Sequence, residues 1–304
     1  MPDDVQINAL LFDMDGVLVD VSRSYRRAIE ETVEHFTGRE IGENTIQRYK
    51  NYGGFEDDWK LTHAVITDTA MEVPLSRVIE EFQDRYRGDD WDGFINEEPP
   101  LIDDSTIETL NDGRILGIVT GRPEEEAEWT LNHRNWTSYF PLLVGKEKQG
   151  DRQKPDPFPL EHSLTMLAAA GCDLQPSEVA YVGDSVDDMI AARDADMWAI
   201  GVVPPYVDAD EHEPLLKERG AHVVIDDLND LPDVLSTFSQ RAVTRAVTRY
   251  LHGAPVPVAG SLIPTPQPYS YGRRTSSAAP LGEESAMSRL PSGCRSVGKC
   301  VVLT

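Results

Sequence analysis

A chain of 304 residues with 40% hydrophobic side chains is long enough for one large domain or two modest ones, and apolar enough to bury a core. Its formal net charge of −25 is unevenly spread: residues 241–304 carry eight Lys and Arg against two Asp and Glu, which leaves 20 basic and 51 acidic side chains in the first 240. Such an acid excess repels nucleic acid and anionic membranes, and no apolar run approaches the roughly 18 residues of a membrane helix. The same excess resembles the surfaces of proteins from salt-adapted cells, where screening removes most of the self-repulsion. The start, MPDDVQIN, runs directly into a strand pattern and does not read as a secretory signal. Cys172, Cys294 and Cys300 form no CxxC and no metal-type spacing. A cytoplasmic protein is expected; the sequence is silent on oligomeric state.

In chain order, residues 5–13 read as a first buried strand, with Ala9, Leu10, Leu11 and Phe12 as its apolar run. Ser22 to Phe36 follows with apolar residues at helical spacing. Further helical stretches lie around Asp57–Ala70 and Leu75–Arg87, with a glycine-hinged loop, residues 48–59, ahead of them. No strand pattern returns before Arg114, so residues 20–95 are expected to form a small all-helical domain inserted after the first strand. Arg114–Thr120 reads as the second buried strand, Leu142–Val144 as a short one, and Glu178–Val182 as the next. Trp198–Val203 and His222–Ile225 complete the strands, with helices expected from Pro123, over Leu160–Ala170 and over Met189–Ala195. This alternation predicts an α/β fold: a doubly wound parallel sheet over 1–19 and 96–240, with a small all-helical domain over 20–95. Past residue 240, Pro, Gly and Ser make up 21 of the last 64 residues, a composition expected of a disordered tail.

The expected strands end in polar residues suited to phosphoryl transfer. Asp13 can attack phosphorus as a carboxylate nucleophile. Asp15, two residues on, is placed to protonate the leaving oxygen and then deprotonate the attacking water. Thr120 supplies a hydroxyl and, with Gly121, backbone N–H groups for phosphoryl oxygens. Lys154 brings positive charge to a transition state whose charge sits on those oxygens. Asp184 and Asp188 add carboxylates, and acids beside a phosphate suit Mg²⁺.

The ordered set DMDGV, VTGR, KPDP and VGDSVDD resembles the four motifs of the haloacid dehalogenase superfamily, over roughly residues 5–235. The helical insertion is similar to the cap of subfamily I, the phosphoglycolate-phosphatase-like members. The resemblance implies that the sheet is a Rossmann-like core and the helical domain over 20–95 its cap. It also implies an aspartyl-phosphate intermediate on Asp13 and Mg²⁺ bound by Asp13, the Asp15 carbonyl and Asp184. Asp188 would support that site, with Asp187 a weaker candidate. An acid at position 15 favours phosphate chemistry over dehalogenation. The expected activity is hydrolysis of a small phosphorylated metabolite; a phosphomutase of the β-phosphoglucomutase type and a non-catalytic binding role are the alternatives. Substrate contacts are expected from Lys50, Asn51 and Tyr52 of the hinged loop, and from Arg23 and Arg122 as holders of a second anionic group.

Overall fold

A computed structural model describes residues 6–42 and 44–237, so the expectations for the tail, 241–304, lie outside the described residues. The sheet contains β1 (Ala9–Phe12), β2 (Ile115–Val119), β3 (Leu142–Val144), β4 (Val179–Gly183), β5 (Trp198–Val202) and β6 (Val223–Ile225). Their order is β3-β2-β1-β4-β5-β6, and every pairing is parallel. β1 is therefore central, and the winding reverses on either side of it. The crevice outside the carboxyl ends of the strands at that reversal is where ligands bind in such sheets.

Burial on both faces explains the unbroken apolar run of β1. Leu10 and Phe12 enter one core with Leu116, Ile118, Ala180 and Val182, while Ala9 and Leu11 enter the opposite one with Val119, Val179 and Tyr181. A strand with period-two side chains and two dry faces needs an apolar residue at every position. β1 covers only part of the expected 5–13.

Four of the helices between β1 and β2 fall within residues 20–95: α1 (Tyr25–Thr37), α2 (Asn44–Tyr52), α3 (Asp58–Asp68) and α4 (Leu75–Tyr86). α1 buries Tyr25, Ala28, Ile29, Thr32 and Val33, one helical stripe, and packs against α3 and α4. The chain leaves and re-enters the sheet domain side by side: Asp20 N–H donates to Pro99 O (2.9 Å) and Leu101 N–H to Leu18 O (2.9 Å).

The remaining helices are α5 (Asp104–Asn111), α6 (Glu124–His133), α7 (Lys146–Gln149), α8 (Phe158–Ala169), α9 (Val186–Asp194) and α10 (Ala209–Arg219). Four helices were not expected. α2 takes the first part of the stretch read as a loop; its sequence, NTIQRYKNY, buries only Ile46 and so carries little periodicity. α5 is eight residues long, α7 is a single turn, and α10 contains Pro214 with two buried residues, so none shows an apolar stripe long enough to read. Among the described residues no helix is long and apolar enough to cross a membrane.

Candidate active site

The parallel register sets the site. Phe12 lies level with Ile118 on β2 and Val182 on β4, so the three strands run out together and release Asp13, Thr120 and Asp184 at one edge. Asp13 remains tied to the sheet, its N–H donating to Val182 O at 2.8 Å. The turn that follows passes through Gly16 at φ +73°, a backbone region costly to side-chain-bearing residues. A Cβ there would also lie 2.3 Å from Asp184 Oδ2, so the glycine lets the Asp184 carboxylate lie against the first turn.

Lys154 is buried on one side of Asp13. Its Nζ lies 3.3 Å from Asp13 Oδ2, 2.6 Å from Asp188 Oδ1 and 3.1 Å from Glu56 Oε2, and donates to the Tyr181 hydroxyl at 2.9 Å. Burial alone would lower the lysine's pKa, but Asp13, Asp188 and Glu56 outweigh it and hold the ammonium charged. Asp188 is wholly buried and fully engaged. Its Oδ1 meets Lys154 and the Tyr181 hydroxyl, and its Oδ2 accepts from the Ser185 N–H (3.0 Å) and hydroxyl (2.9 Å), capping α9.

On the other side of Asp13 burial and neighbouring carboxylates dominate, with Lys50 pulling the other way on Asp184. Asp13 Oδ1 is buried and accepts no hydrogen bond. Burial pushes the Asp13 carboxyl up to about 6, against the pull of Lys154 and with Asp188 and Asp15 adding to the rise. Asp184 is driven well above the usual carboxylate range by burial, then by Asp188 and Asp13. Asp13, Glu56 and Asp188 bring oxygens within 4.8 Å of one another, a donor set that could hold a metal. Lys154 already stands among those three, so the donors left for a hard cation are Asp13 Oδ1 and Asp184.

Asp15 turns away from Lys154 and pairs with Arg122. That guanidinium is buried, forks onto both oxygens of Glu98 (3.0 Å each) and donates to Thr130 Oγ1 (3.2 Å), with the rings of Tyr25 and Tyr86 beside it. Every partner is already chosen, which corrects the expectation that Arg122 offers a free charge to substrate; it orients Asp15 instead. Thr120 is fully buried at the end of β2, its hydroxyl accepting from the Arg122 N–H at 3.3 Å.

The hinged loop enters the site, and of the residues expected from it Lys50 reaches inward, its charge bearing on Glu56 and Asp184. Lys50 pairs with Asp58 at 3.0 Å, Asn51 accepts from Gln47 at 2.8 Å, and Tyr52 is 84% exposed. Arg23, in the turn before α1, is exposed and joins none of these ion pairs, because adjacency to the first motif in sequence does not aim a side chain inward. Glu56 also reaches the centre, its carboxylate 2.7 Å from the Ser185 hydroxyl oxygen. Nothing local marks it in a chain with 53 acidic residues; only its meeting with Lys154 reveals it. Asp187 holds the loop in place by accepting from the Gly54 N–H at 2.6 Å.

Residues 10–202 match the family of haloacid dehalogenase-like hydrolases. The chain belongs to that family. It is 32% identical over 234 residues to a Phytophthora nicotianae protein named imidazoleglycerol-phosphate dehydratase; the match covers 72% of this chain and 50% of that protein, so the chain spans about half of that relative. It is 28% identical over 237 residues to the N-acetylmuramic acid 6-phosphate phosphatase of Pseudomonas aeruginosa, covering 76% of this chain and 96% of that one. In fold it is similar to β-phosphoglucomutase from Clostridium difficile, with a TM-score of 0.59, 19% identity, and coverage of 80% and 100%. The helical insertion between β1 and β2 is the subfamily I arrangement expected from the sequence.

Proposed function

We propose that the chain is a Mg²⁺-dependent phosphatase acting on a small phosphorylated metabolite, with the helices of residues 20–95 as its cap. The observation that carries this reading is Asp13: one oxygen faces a buried ammonium, and the other is buried without a hydrogen bond. Family membership and relatives named for phosphorylated small molecules support the substrate class.

In this reading Lys154 exchanges Glu56 for a phosphoryl oxygen, and Thr120 with the backbone of Gly121 holds the others. An oxygen of Asp13 bonds to phosphorus as the bond to the alcohol oxygen breaks. Asp15, oriented by Arg122, gives its proton to that departing oxygen. Asp15 then takes a proton from water, whose oxygen bonds to phosphorus and releases Asp13 and inorganic phosphate. The donors that would hold Mg²⁺ are Asp13, Asp184 and the Asp15 carbonyl, with Asp188 supporting them through Lys154 and the α9 cap. When bound, the ion neutralises carboxylate and phosphoryl charge.

The test is phosphate release from a panel of phosphomonoesters, at high salt, with Mg²⁺ or with EDTA. Release from one or a few esters that EDTA abolishes is the expected result. Isomerisation of a sugar phosphate without release would replace this reading with the mutase. Folded protein with neither activity would leave a binding role.

A further inference from the structure

Among the described residues, four groups surround the Lys154 ammonium. Three belong to the sheet domain: Asp13 after β1, Tyr181 on β4 and Asp188 on α9. The fourth, Glu56, is carried in on the loop between α2 and α3. An ammonium has three protons to give. Asp188 at 2.6 Å and the Tyr181 hydroxyl at 2.9 Å take two of them. Glu56 at 3.1 Å is the nearer of the two carboxylates left to share the third, Asp13 being at 3.3 Å.

Glu56 also lies against the other end of the expected phosphoryl site. A Cβ on Gly121 would come within 3.1 Å of the Glu56 carbonyl oxygen, so the loop backbone rests on the glycine that follows Thr120. Between residues 56–59 of the loop and Asp15, Gly121 and Arg122 there is room for about one water molecule. Lys146 fastens that wall, 2.8 Å from Asp57 Oδ2 and 3.7 Å from the centre of the Trp59 ring. Asp187 holds the Gly54 N–H at 2.6 Å. A phosphate ester entering beside Asp15 therefore has to displace the loop.

Resting on the phosphatase reading, we propose that Glu56 is a built-in competitor for the phosphoryl group. Its carboxylate takes the phosphoryl seat on Lys154 when no ligand is bound, and returns there as inorganic phosphate leaves. A carboxylate and a phosphoryl oxygen compete here for the same ammonium proton, and the buried lysine has no fourth to offer. The apparent affinity for phosphate is then the intrinsic affinity reduced to the fraction of chains in which Glu56 has withdrawn. Such a chain resists inhibition by its own product.

The test is calorimetric binding of inorganic phosphate to the full chain in excess Mg²⁺. Glu56→Gln keeps the shape of the side chain and gives up its charge on Lys154, so the Kd for phosphate should fall by at least about tenfold. Inhibition of ester hydrolysis by phosphate should tighten in parallel. Amide hydrogen exchange in the native chain supplies an independent sign and decides alone if the variant fails to fold. Added phosphate should speed exchange over residues 53–57, because it takes Lys154 away from the loop. Phosphate binding no tighter in Glu56→Gln, or phosphate that slows exchange over 53–57, overturns the proposal, since the loop would then close on phosphate instead of yielding to it. Hydrolysis of any ester keeps the phosphatase reading in either case. A chain that binds no phosphate and hydrolyses no ester overturns both.

Discussion

The sheet edge and the cap loop both offer carboxylates to Lys154, but they hold them differently. Asp13 is fixed by a hydrogen-bonded strand, and Asp188 by a helix cap with two donors on one oxygen. Glu56 sits on a loop entered through Gly53 and Gly54, both at positive φ, and is held by the Ser185 hydroxyl and by Asp187 at Gly54. The sheet's contacts come with folding and are present before any ligand arrives. Those of the loop are few and local, so they can be exchanged for a ligand's. In the proposed reading the difference divides labour: bond making would belong to the rigid edge, and the loop above it would be the part that yields to a ligand.

Three measurements would break or sharpen that division. The largest effect belongs to the rigid edge. Asp13→Asn should lower kcat by on the order of 10⁴-fold or more, with a melting temperature no lower than that of the native chain. Turnover surviving in that folded variant would remove Asp13 from the chemistry.

Next is Asp15→Asn, which keeps the shape of the Arg122 contact but cannot shuttle a proton. A loss of about 10²–10⁴-fold is expected, smaller for esters of acidic alcohols such as p-nitrophenol, whose departing oxygen needs no proton. Equal losses for all esters would make Asp15 a structural partner of Arg122 instead.

The smallest effect lies in the loop and is read as stability. Burial, then Asp188, Asp13 and Asp187, push the Glu56 carboxyl up to about 8 against the pull of Lys154. A pKa raised above its unfolded value means that the folded chain holds the proton more tightly. Stability is therefore fullest below about 4.5 and declines as pH rises towards 8. Glu56→Gln lacks that decline, so in EDTA its melting temperature should exceed the native value by about 2–4 °C at pH 8.5, and the gap should close near pH 4.5. A gap that is constant with pH would show that Glu56 is held ionised.

The edge was largely legible in the sequence because its signals are local. An apolar run ending in DMDG needs a strand, a turn and a reason for buried acids within a few residues, and GDSVDD repeats that pattern at β4. The loop was not. Glu56 acts through Lys154 and Ser185, residues far along the chain, and one glutamate among many acids carries no mark of its partner. Arg122 shows the converse: a cation beside a motif invites a substrate role, whereas it is engaged by Asp15, Glu98 and Thr130. Pairing of this kind depends on what the fold brings from elsewhere. Helices with one or two buried residues, such as α2 and α10, escaped for a related reason, since periodicity is written only where a stripe is packed.

The strand order has a consequence for how the chain comes into being. β1 is made first, yet one of its two neighbours, β4, is made after the whole cap and half of the sheet domain. Until β4 arrives, a nascent chain has Asp13 on an exposed strand edge, without the Val182 carbonyl that anchors it or the Asp188 that shares its lysine. The candidate site is thus among the last things biosynthesis can complete. A chain broken off before residue 188 would have the inserted helices and Asp13 but not the cluster around Lys154.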